Sequence, residues 1–78
     1  MIRELDTVVL THDDRVHGLK AGDIGAVVHT YKDGSAFEVE FVTAQGATVA
    51  LLTLSVADIR PMHNMEILHV RDLAPMAA

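Results

Sequence analysis

The chain has no cysteine, so disulfides, thiolate nucleophiles and cysteine-bound zinc are excluded. Small extracellular domains commonly need disulfide staples, and their absence points to a reducing, cytoplasmic setting. Aromatic residues are almost missing too: there is no Trp, and only Tyr31, Phe37 and Phe41 are present. Polyproline grooves and methyl-lysine cages are both built from aromatic rings, so neither activity has the side chains it requires. Positive charge is scarce, with 6 Lys and Arg against 11 Asp and Glu and a net charge of −5. Phosphate backbones are held by cations that displace counterions. The balance therefore disfavours nucleic acid and anionic membrane, and it permits a basic protein partner. The longest apolar run, Val49-Ala50-Leu51-Leu52, falls far below the roughly 20 residues of a membrane helix. Met1-Ile2-Arg3-Glu4 lacks the charged-then-apolar opening of a secretory signal.

What is present is a globular composition in 78 residues, half of them hydrophobic, enough for one domain. A chain this short buries about 60% of its unfolded surface and has a stability on the order of 4–12 kcal/mol. Its core has no room for a cofactor-sized cavity, and no cofactor is expected. The apolar share is high for so small a domain, which implies that a second copy or a partner covers part of it.

Short β-branched and alternating segments dominate. Asp6–Leu10 reads as a strand. The polar stretch from Thr11 to Asp23 follows, with Leu19 tucked back onto the core and Ala21-Gly22 at the centre of a type II turn. Ile24–Tyr31 is a second strand, with Ile24, Ala26, Val28 and Thr30 on one face and Gly25, Val27, His29 and Tyr31 on the other. Gly25 marks a bend or a close approach. Asp33-Gly34 then predicts a hairpin. Ala36–Val42 alternates cleanly, with Phe37, Val39 and Phe41 inward and Glu38 and Glu40 outward. Gly46 supplies a second turn. Thr48–Leu54 is apolar on both faces, which predicts a central or covered strand. Ser55–Asp58 reads as one helical turn capped by the Ser55 hydroxyl, and Ile59-Arg60-Pro61 as a short last strand closed by proline. This order predicts an all-β fold: a small SH3-like barrel of about five strands over residues 1–61, followed by a C-terminal extension over 62–78. Glu66–Val70 fits a sixth strand, while Met62, Met65, Leu68 and Leu73 fit one side of a short helix. Residues 74–78 are expected to fray.

Asp6-Thr-Val-Val-Leu10, Gly18-Leu-Lys-Ala-Gly-Asp-Ile-Gly-Ala-Val-Val28, Phe37-Glu-Val-Glu-Phe41, Leu51-Leu-Thr-Leu54 and Ile59-Arg-Pro61 together resemble the small bacterial family of unknown function DUF4926, over residues 4–61. The resemblance implies a compact cytoplasmic β protein with no assigned reaction and no catalytic residues to carry over. It also implies an adaptor or neutralising role toward another small protein, sometimes a toxin, encoded alongside. The turn Gly22–Val28 is similar to that of RNA-binding KOW domains, although the barrel requires such a turn for its own geometry.

Candidate sites are few. His12, Asp13, Asp14 and His17 share one loop and are ligand types for a zinc-like ion, yet no extended metal motif accompanies them. His63 and His69 would share a face only on a strand. Glu38 and Glu40 form a paired acidic face. General acid–base chemistry would need one of them desolvated, and outward strand positions are normally wet. No serine has a His–carboxylate partner nearby, and Gly22-x-x-Gly25 is not followed by a Gly-Lys-Ser/Thr phosphate loop. The reading is a non-catalytic protein-interaction module, with no catalytic and no metal residues assigned. Its partner-binding residues are Asp13, Asp14, Glu38, Glu40, Met65, Ile67, Leu68 and Val70. Self-association through the extension is a further expectation, by addition of a strand to an exposed sheet edge. Two alternatives stand beside it: a KOW-like RNA-binding module and a small metal-binding protein using the first loop.

Overall fold

A computed structural model describes residues 1–73 of the chain. Its regular elements are five strands: β1 (Thr7–Leu10), β2 (Ile24–Thr30), β3 (Ala36–Val42), β4 (Thr48–Ser55) and β5 (Ile59–Pro61). They form one antiparallel sheet in the order β4-β3-β2-β1-β5. The fold is all-β and of the small SH3-like barrel kind. No helix of the described residues is long and apolar enough to cross a membrane.

The core follows from alternation. Val8 and Leu10 of β1, Val27 of β2, Phe37, Val39 and Phe41 of β3, Ala50 of β4 and Ile59 of β5 are buried together, and Leu19 joins them from the first loop. Leu19 is delivered by reciprocal backbone bonds with Asp14, each 2.9 Å. Opposite Phe41 and Val39 the sheet has room for no side chain at all. A Cβ on Gly25 would lie 2.6 Å from Val39 Cγ1 and 2.9 Å from Phe41 Cε1, so glycine is required there for space rather than for its backbone freedom. Gly22 does need that freedom. Its φ is 95°, and the Asp23 N–H closes a turn onto the Lys20 carbonyl at 2.9 Å, as a type II turn demands.

Four expectations are corrected, the last of them at Ser55–Asp58. The faces of β2 do not alternate to its end, because Val28 is an extra residue between the Val27–Val39 and His29–Glu38 pairs. Beyond this bulge the alternation shifts by one, so Thr30 pairs with inward-facing Phe37 and His29 with outward-facing Glu38. Strand β4 is neither central nor covered. It is an edge strand, and its outward Leu51 is 56% exposed. Its second apolar row arises from outward Leu51 together with Val49, which a register shift leaves out of the pairing with β3. Met62–Leu73 is neither a sixth strand nor a helix: it runs without regular structure, with one turn at Asn64-Met65. The expected fraying of residues 74–78 lies outside the described residues.

The Ser55–Asp58 segment closes as a turn rather than a helix, with the Asp58 N–H on the Ser55 carbonyl at 3.0 Å. The capping bond is present: the Ala57 N–H donates to Ser55 Oγ at 3.2 Å.

Candidate functional site

The four ligand-type side chains of the first loop do not converge. His12 Nε2 reaches across to Asp58 Oδ1 at 2.7 Å. Asp13 Oδ1 accepts from the Ala21 N–H at 2.9 Å. Asp14 and His17 pair with each other at 2.9 Å. The four side chains are committed to three separate contacts, and no cluster of three metal-ligating side chains occurs among the described residues. The His12 contact fastens the loop to the β4–β5 turn, where Thr11 Oγ1 also donates to the Ala57 carbonyl at 2.9 Å. The Asp13 carbonyl and the Asp58 carboxylate raise the His12 pKa above its ordinary 6.5. The Ser55 N–H and His12 together lower that of Asp58.

Glu38 and Glu40 do lie together on the outer face of β3, half-buried. One rung of the sheet runs Thr7–Ala26–Glu40–Leu51, and the next places His29 and Thr53 on either side of Glu38. The carboxylates are positioned by hydroxyls. Tyr31 donates to Glu38 Oε1 at 3.0 Å, Thr53 donates to the same oxygen, and Thr48 donates to Glu40 Oε2 at 2.6 Å. The bond to Glu38 raises the Tyr31 pKa. Each carboxylate keeps one oxygen unengaged among the described residues. Strands β2, β3 and β4 contain no Lys or Arg, so these two acids set the sign of the face.

The extension is fastened by two guanidinium–carboxylate forks, which sequence reasoning did not find. Arg60 of β5 donates to both oxygens of Glu66, at 2.9 and 2.6 Å, and the His63 N–H adds a third bond to Glu66 at 2.6 Å. Glu66 is thereby lowered to about 2. Arg71 donates through Nε to Asp23 Oδ1 at 2.9 Å and through Nη2 to Oδ2, and it also reaches the Gly18 carbonyl at 3.1 Å. Burial alone would raise the Asp23 carboxyl. Hydrogen bonds from Arg71 and the Lys20 N–H, together with the positive charges of those same two residues, outweigh that and hold it below the usual range. Such bidentate pairs fix orientation as well as supplying energy. Arg60 and Asp23 stand on opposite sides of β1 in the sheet, so the stretch from Glu66 to Arg71 is tethered on both sides of that strand. Val9, paired with Arg60 and Ile24, is 6% exposed although it faces away from the core cluster.

Three of the residues assigned to partner binding, Ile67, Leu68 and Val70, lie on this tethered segment, and Met65 directly precedes it. Met65, Ile67 and Val70 are 96, 94 and 90% exposed, and Leu68 is 63% exposed. Among the described residues no backbone–backbone hydrogen bond joins the segment to the barrel. Two concavities flank the barrel. The larger, about 960 Å³, lies between the N-terminal residues and the β2–β3 hairpin and includes Arg3, Glu4, Tyr31 and Lys32. No two side chains of its lining are hydrogen-bonded to each other among the described residues. The smaller, about 490 Å³, lies between the extension and the barrel.

A family model described as a domain of unknown function, DUF4926, matches residues 4–61 of the chain. The chain belongs to the DUF4926 family. The matched segment ends at Pro61, the last residue of β5, so the DUF4926 unit is the five-stranded barrel and the tethered extension lies beyond it. No curated protein and no solved structure matches the chain.

Proposed function

We propose that this DUF4926 protein is a non-catalytic, cytoplasmic protein-interaction module, an adaptor or neutralising partner for a basic protein. The observation that carries this reading is the extension, where Ile67 and Val70, both at least 90% exposed, lie between the Glu66 and Arg71 clamps, with the exposed Met65 directly before them. Exposed apolar side chains on a positioned backbone are what an interface core requires, and clamping lowers the ordering cost of binding. Large apolar groups left in water on a small soluble domain mark an interaction surface. The −5 charge and the cation-free β2–β4 face support a basic partner and count against RNA, whose phosphates need Lys and Arg.

The test is affinity capture from the source cell with the whole protein and with Ile67→Asp/Val70→Asp. The double variant should keep the barrel spectrum of the wild type and lose the captured partner. An identical captured set from both proteins would remove the extension from the function.

A further inference from the structure

The groove between the extension and the barrel is walled on one side by Leu19, Ile24, Val42 and Val49, and on the other by Val70 and Leu73. Its volume of about 490 Å³ is within the range of sites that bury a ligand group. The extension borders this space without filling it, through Leu73, 44% exposed, and the edge of the exposed Val70. The Arg71–Asp23 fork forms part of its lining. Val42 of the lining begins the outward row of β3, along which Glu40 and Glu38 follow at two-residue intervals. Successive outward positions on a strand are about 6.7 Å apart.

We propose that this groove anchors one apolar side chain of an extended, basic segment of the partner protein, and that Glu40 and Glu38 receive two cations of the same segment. The inference rests on the interaction-module reading and names the chemistry of its partner. Charge supplies the commitment. Arg71 is spent on Asp23, and Lys20 faces the same carboxylate. Asp13 acts on Arg71 from the first loop, and Asp72 stands at the groove's rim. The groove's surroundings thus hold three carboxylates against two cations, and the face beyond it holds Glu40 and Glu38 with no Lys or Arg at all. A segment with an apolar residue followed by cations two and four positions later matches anchor and charges in one extended conformation. An acidic segment, or a second copy of this −5 chain, meets like charge along the same path.

The probe is the peptide acetyl-Phe-Thr-Arg-Thr-Arg-amide, titrated into the whole protein while methyl NMR signals of Ile24, Val42, Val49, Val70 and Leu73 are followed. The expected result is saturable shifts confined to those methyls. Affinity should drop about tenfold when Ala replaces the peptide's Phe, and about fivefold in Glu40→Gln. Arg71→Gln, which removes the fork from the groove's lining, should weaken the Phe peptide and leave the Ala peptide unchanged. The proposal is overturned by an absence of saturable shifts up to about 5 mM peptide, by equal binding of a peptide with Glu in place of Arg, or by concentration-dependent shifts of the same methyls in the protein alone, which would assign the groove to a second copy. If the peptide fails while Ile67→Asp/Val70→Asp still abolishes partner capture, the groove assignment falls and the module reading stands.

Discussion

The barrel and the extension lie side by side but are held by different forces. The barrel is knitted by backbone ladders around a fully buried cluster, in which Val8, Val27 and Val39 have no exposed surface at all. Over its described residues, 62–73, the extension has no ladder, turns most of its large apolar groups to water, and depends on four charged side chains at two points. Burial and backbone bonding resist salt and single polar substitutions. Forks between partly exposed charges resist neither. The same 78 residues therefore contain a unit built to persist and a unit built to be positioned.

The largest effect should come from breaking the first. Phe41→Ala removes a buried ring in contact with the Gly25 position, and is expected to cost about 3–5 kcal/mol, a large share of the stability of so small a domain. Denaturant unfolding measures it. A loss below about 1 kcal/mol would mean that β3 is not the spine of the core. The second comparison is gentler. Arg71→Gln should lower global stability by about 1 kcal/mol or less, yet accelerate hydrogen exchange or proteolysis of residues 62–73. Raising salt toward 1 M should reproduce that loosening in the wild type while leaving barrel amides unchanged. Uniform loosening of both regions would mean that barrel and extension are held by the same forces.

The smallest effect concerns pH, and it separates the extension from the first loop. His12 is raised above 6.5, so its contribution is complete below 6.5 and is lost as pH rises through the raised value. Asp58 is lowered below 3.8, so its contribution is complete above 3.8 and is lost as pH falls through the lowered value. The loop clasp is therefore firmest between about pH 4 and 6.5. Glu66, lowered from 4.5 to about 2, keeps its contribution above 4.5 and loses it only in strong acid. Between pH 5 and 8 the loop should slacken and the extension should not. NMR titration should give His12 a midpoint above 6.5 that moves down in Asp58→Asn. A His12 midpoint unmoved by Asp58→Asn would show that the clasp does not form.

Residue pattern alone revealed most of the barrel, because its determinants are local. Phe37, Val39 and Phe41 alternate with Glu38 and Glu40, Asp33-Gly34 marks its hairpin, and the positive φ at Gly22 and Gly46 matches the expected turns. The bulge at Val28 was not legible, since an inserted residue looks like any other in an apolar run. The edge position of β4 was hidden for a related reason: two-sided apolarity reads the same whether a neighbour strand or water lies beyond. The clamps of the extension were least accessible. Arg71 and Asp23 are 48 positions apart, and no periodicity links them. The one local hint was that two of the chain's few cations, Arg60 and Arg71, bracket its final described stretch.

Strand β1 lies between β2 and β5, so the first strand is completed by the last, with Val8 opposite Pro61. During synthesis the meander of β2, β3 and β4 can form as it emerges, while one flank of β1 waits bare for β5. Closing a loop of that span carries an entropic cost that local turns do not, and a bare flank is a template for a neighbouring chain. The timing of assembly, and with it the period of greatest exposure to mispairing, is thus set by how soon three residues near the end of the barrel become available.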